Sequence, residues 1–184
     1  MEVPMTAMHP PFPAFPTHVP ALANPRVIPL LMAATMPIAI GGLVAIHGTS
    51  VSPLFAVPAV VFGVTAATSP ALYIATAATG SAPPLAAVVR AFGVAIGAFG
   101  VALAGMLLPV AFLSLSAVAG STTFFVASAA IAGAALLGLR RLKHEMHASR
   151  PLSFSGEIAF WIWACSTAGI AGRMWWDLAK EVLS

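Results

Sequence analysis

The sequence predicts an all-α integral membrane protein, a bundle of about five transmembrane helices, and three observations carry that prediction. From Val27 to Leu139 the chain runs 113 residues with Arg90 as its single charged side chain. A water-soluble surface needs charged groups facing solvent, so a stretch that withholds them for this long has lipid around it. Composition agrees: of the 184 residues, 60% are hydrophobic and 7% charged, and the mean hydropathy is +0.98, well away from globular averages. Finally, the apolar runs are apolar all round for far longer than the roughly ten alternating residues of a barrel strand, which argues against a β-barrel. At about 20 residues per crossing, the length allows roughly four to six crossings and no sizeable soluble domain.

Residues 1–26 read as a proline-rich cytoplasmic tail. Pro4, Pro10, Pro11, Pro13, Pro16, Pro20 and Pro25 remove donors and fix φ, so an extended segment is expected and not a helix. Glu2 in place of a basic start, and the lack of an unbroken apolar core, distinguish it from a signal peptide. With Phe12 and Phe15 it forms a strip suited to docking on a partner subunit.

Residues 27–184 form the transmembrane helical domain. A first span is predicted over 27–46, closed by a polar turn at His47, Gly48, Thr49 and Ser50. The second, 53–78, contains Pro58 and Pro70 and is expected to be kinked or broken. Prolines free backbone carbonyls, and the hydroxyls of Thr65, Thr68 and Ser69 are placed to take up that hydrogen bonding. Gly80, Ser81, Pro83 and Pro84 make a turn before a third span over 85–112, and a fourth covers 122–139. Arg140 to Arg150 then reads RRLKHEMHASR, a basic loop with four basic residues against Glu145.

The last candidate, 158–176, has 15 residues between Glu157 and Arg173, about 22 Å of helix against a core of about 30 Å. Snorkelling of Arg173 and local thinning can cover the difference. The alternative is four spans plus an interfacial C-terminal helix. Trp161 and Trp163 near one end and Trp175 and Trp176 near the other read as two aromatic belts, which favours a crossing.

Basic residues in a short connection mark the cytoplasmic side. The expectation is therefore a multi-pass protein of the bacterial inner (plasma) membrane with its N-terminus cytoplasmic and, after five crossings, its C-terminus outside. The bacterial assignment follows from an Ala-rich, Lys-poor composition. Eight basic residues against five acidic ones are explained by topology, so no nucleic acid partner is expected.

Arg90 is the first candidate for function, since an arginine within a span costs from about 3 to well over 10 kcal/mol and such residues often mark ion or substrate paths. Counted from Leu85 it lies only about 8 Å along the third span, close enough to snorkel. Glu157 is the predicted carboxylate for a polar contact with it. Gly93 and Gly97 form G-x-x-x-G, with Gly100 and Ala104 repeating the interval, a face for close helix packing within the chain or with another subunit. Arg140, Arg141, Lys143 and Arg150 are predicted to meet lipid headgroups.

No catalytic, cofactor-binding or metal-binding residues are predicted. His144, Glu145 and His147 read H-E-x-H, which departs from the H-E-x-x-H zinc pattern. Cys165 has no nearby basic group to activate its thiol and is expected to pack. The expected function is a non-catalytic multi-pass membrane subunit within a larger membrane protein assembly or homo-oligomer. The alternative is a small transporter or channel component.

Overall fold

In the computed structural model, residues 27–46, 51–116 and 120–183 are described. The tail at 1–26 and the turn at 47–50 lie outside the described residues. Five helices follow one another: α1 (Val27–Ile46), α2 (Ser52–Ala78), α3 (Leu85–Ser116), α4 (Gly120–Ser149) and α5 (Phe154–Leu183). The first four are long and apolar enough to cross a membrane, so the chain folds as a helical membrane bundle.

Four prolines stand inside helices, Pro37, Pro58, Pro70 and Pro109. Lipid offers no water to satisfy what they release, so the protein must. At Pro70 it does so locally: the carbonyl of Ala66, four residues back, accepts the Ser69 hydroxyl at 3.1 Å. After Pro58 the expected break is a π-turn at Ala59–Gly63, through which α2 continues without interruption. Its end is a Schellman arrangement, with Gly80 at φ 69°, its N–H donating to Ala77 and that of Ser81 to Thr76. Glycine takes that φ without a Cβ penalty.

The helices form a ring. α3 packs along α1 and α4, while α2 leaves α1 after its first half to lie on α5, which returns along α4. One buried cluster, around Ile40, Val57, Leu103, Phe124 and Ala134, fills the space between α1, α2, α3 and α4. A second, around Leu72, Ala91, Met146, Phe160 and Trp163, ties the other end of α2 to α3, α4 and α5.

Glycines set the closest approaches. A methyl on Gly100 would strike the backbone of Ala33, and one on Gly97 would meet Pro29 at 3.0 Å. Pro29 against Gly97 and Ala33 against Gly100 make α1 and α3 parallel. A methyl on Gly138 would meet the Ala95 carbonyl and Phe99 at 3.2 Å each, so α3 and α4 are antiparallel with Gly138 level with Gly97. Of the predicted packing face, Gly97 and Gly100 are thus spent inside the chain. Gly93 borders open space, and Ala104 is half-buried.

Several helix ends differ from expectation, α3 running on to Ser116 in place of 112, and two of the differences reshape the bundle. The stretch 140–149 is helix, not a loop. Its Arg, Leu, Lys, Glu, Met and Ala are strong helix formers, Leu142 and Met146 are buried one turn apart, and Arg141 pairs with Glu145 at 2.8 Å. The last helix is also longer, Phe154–Leu183 in place of 158–176. It accompanies α4 from the Lys143–Glu157 ion pair to the stacking of Trp175 on Phe124 at 5.3 Å between centroids. The 19 residues from Phe124 to Lys143 measure about 29 Å, close to the thickness of the hydrocarbon core.

Ser114 and Thr123 are buried with hydroxyls that have no hydrogen-bond partner among the described residues. An unmet buried donor costs about 1–3 kcal/mol. Thr123→Val, which keeps the shape and drops the hydroxyl, is therefore expected to stabilise the protein by about 1 kcal/mol in reversible unfolding in detergent micelles. A loss of stability would show that Thr123 has a partner.

Candidate functional site

Where α2 leaves α1, the ring forms a cavity of about 590 Å³, within the roughly 300–1,000 Å³ usual for small-molecule sites. The π-turn and the residue after it supply Val60, Val61, Phe62 and Val64; α3 supplies Phe92 and Phe99, α4 the row from Ser128 to Leu142, and α5 Trp163 to Trp175. A π-turn changes which side chains face a neighbour and often sits at functional sites.

The cavity is a slot. On α4 its lining runs from Ser128 to Leu142, about 21 Å along the helix axis, and on α5 from Trp163 to Trp175, while α2 and α3 cover only part of that length. It is open on one side. Ala132, Ala135 and Leu136 of α4 and Ala168 and Gly172 of α5 line it and are exposed as well, Leu136 at 67%. The mouth is the α4–α5 seam, facing sideways from the bundle.

None of the lining residues is ionisable, and their polar atoms are already engaged. Thr65 donates to Val61 at 2.7 Å and Ser128 to Phe124 at 2.7 Å, each a carbonyl one turn back in its own helix. Thr167 donates to the Thr68 hydroxyl at 3.1 Å. The Trp163 indole donates to the Thr68 carbonyl at 2.8 Å and that of Trp175 to Ser128 Oγ at 2.8 Å. A space whose polar groups are satisfied from within offers water too few partners to hold it, and takes apolar matter instead.

Trp163 and Trp175 bracket the slot, the first packed edge-on against Phe92 at 6.1 Å and the second stacked on Phe124. Each predicted belt is therefore half a belt: Trp161 and Trp176 face outward at 48% and 59% exposure while their neighbours turn inward.

The charged groups gather at two ends: Arg173 and Lys180 pair with Asp177 near the C-terminus of α5, and those of α3, α4 and the start of α5 lie at the opposite end of the bundle. Glu157 pairs with Lys143 at 3.3 Å, and the Lys143 ammonium lies 5.4 Å from the Trp161 ring centroid. Arg150 donates to the Ala82 carbonyl at 3.3 Å, joining the α2–α3 and α4–α5 turns. Of the four predicted headgroup contacts, Arg141, Lys143 and Arg150 are thus engaged within the chain. Arg140 is exposed, and no ion pair or hydrogen bond holds it among the described residues.

The structure does not bring Arg90 and Glu157 together. Arg90 is exposed and likewise unpaired among the described residues. Seven residues before Gly97, it is level with Glu145, seven residues after Gly138. It therefore lies about 10 Å beyond the level of Gly97, where α1 begins. His147 Nδ1 accepts the Leu152 amide at 3.5 Å. Cys165, expected to pack, is exposed on α5.

Compared with known proteins, the chain matches no family model, no curated protein and no solved structure.

Proposed function

We propose that the chain is a non-catalytic, multi-pass subunit of a larger assembly in a bacterial inner membrane, crossing it five times with the N-terminus cytoplasmic. α1, about 30 Å long, sets the hydrocarbon slab from the level of Gly97 and Gly138 to its own C-terminus, which leaves the Arg173–Asp177 ion pair of α5 in its far half, where Arg173 must snorkel. The cations of Arg140 to Arg150 then lie at and beyond one edge of that slab, as the cytoplasmic side requires. Arg90 lies on the same side, outside the apolar core, and its charge costs little there.

The observation that carries the subunit reading is the outward side of α5. Cys165, Ser166 and Gly169 are exposed in succession along it, with Ile162 and Ile170 beside them, and a Cβ on Gly169 would meet nothing. Small residues let a second helix backbone come close where lipid supplies no hydrophobic drive. On α3 the equivalent residues Gly97 and Gly100 are taken by α1; on α5 they are vacant and suit a helix of another membrane protein. The transporter alternative receives less support, because the slot has no charged side chain with which to bind an ion.

Native mass measurement in lipid nanodiscs tests this reading. The wild-type chain is expected with a partner or a second copy, and Gly169→Leu, which disturbs no internal contact, is expected to release it as a monomer. A wild-type chain that is monomeric on extraction overturns the proposal.

A further inference from the structure

We infer that the slot is a phospholipid site, which takes one acyl chain between α2, α3, α4 and α5 and the lipid's phosphate at Arg140. This inference is independent of the outward face of α5. The slot is lined on α4 and α5 over up to about 21 Å along the helix axes, a length that suits an extended chain. Its mouth opens sideways between α4 and α5 over Ala132, Ala135, Ala168 and Gly172, so a chain enters from the bilayer without passing through water. The walls offer it only hydrocarbon, since the hydroxyls and indole N–H groups are committed elsewhere.

Arg140 stands one turn beyond Leu136 on the same row of α4, at the basic end of the mouth. It is two residues past Gly138, at the level where α1 starts and headgroups begin. Its neighbours Arg141 and Lys143 are paired with Glu145 and Glu157, so among the described residues of α4 Arg140 is the arginine free to meet a phosphate at the mouth. An arginine fork matches phosphate oxygens in a bidentate contact.

The probe is phosphatidylglycerol, added to the full chain in detergent and followed by native mass spectrometry through repeated detergent exchange. Wild type is expected to retain one phosphatidylglycerol per chain. Filling the mouth with Ala135→Leu and Ala168→Leu together is expected to reduce retention at least tenfold. Arg140→Gln is expected to weaken it about fivefold, from the typical contribution of one basic residue at a lipid surface, while Arg141→Gln leaves it unchanged. Arg140 is exposed, so its variant decides the matter even if the double variant does not fold. Retention by Arg140→Gln equal to wild type, unaltered retention with the mouth filled, or equal retention of a diacylglycerol with the same chains and no phosphate would each overturn the inference.

Discussion

Gly100→Val is expected to separate α1 from α3 and to destabilise the protein by about 3 kcal/mol or more. Overpacking a tolerant core typically costs about 1–3 kcal/mol because side chains can turn aside. Here the added carbons meet the backbone nitrogen and Cα of Ala33, which have no rotamer to escape into. The helices must part, and the contacts around Leu103, Ile40 and Ala134 part with them. A total stability of roughly 5–15 kcal/mol makes this a large fraction. Gly93→Val on the same helix is the control: a Cβ there meets nothing, and little change is expected. Reversible unfolding of both variants in mixed micelles checks the pair; equal stabilities would mean that α1 does not lie against α3 at Gly100.

The second large effect is expected at Trp163. Its ring packs against Phe92 and Phe160 and its N–H is held by Thr68, so it joins α5 to α2 and α3 at once. Truncating a buried tryptophan to alanine costs about 3–5 kcal/mol in water-soluble cores. In a bilayer part of that cost disappears, because lipid chains can fill the void and only packing and the hydrogen bond are lost. About 3 kcal/mol is therefore expected for Trp163→Ala, and about 1 kcal/mol for Trp163→Phe, which keeps the ring contacts and gives up the hydrogen bond. Hydrogen exchange should show α5 amides opening in the alanine variant while α1 and α3 stay protected. Uniform loss of protection would mean that α5 is not the separable element.

What the sequence made legible depended on charge. The uncharged run after Arg26 marks a first span, and the residues described there, Val27–Ile46, form a helix long and apolar enough to cross. The same reliance on charge misread 140–149 as a loop. Charge density alone predicts a solvated loop, whereas the four-residue spacing of Leu142 and Met146, both buried, describes a helix with one buried stripe. The pairing of Glu157 with Lys143 rather than Arg90 follows from the level at which α3 and α4 meet, which Gly138 sets and no sequence count reveals.

The slot was hidden for a different reason. Hydrophobic periodicity points to a core only when the other face is polar. In α2, α3 and α4 every face is apolar, so Val61, Phe92 and Ile131 carried no sign of direction. Two signals were present in the sequence. Pro58 lies just before the π-turn that opens the slot, and Trp163 and Trp175 stand 12 residues apart on one helix, spaced to bracket it.

The account rests on α5 crossing the membrane beside α4, since both the sideways mouth and the vacant helix face depend on it. Cysteine accessibility tests this most directly. In a Cys165→Ser background, Ser155→Cys at the start of α5 and Glu181→Cys near its end would be challenged with a membrane-impermeant maleimide in intact cells and in inverted vesicles. The five-crossing proposal predicts opposite sides, Ser155→Cys labelled only in inverted vesicles and Glu181→Cys only in intact cells. Labelling of both from the same side would place α5 on the membrane surface and contradict the five-crossing bundle.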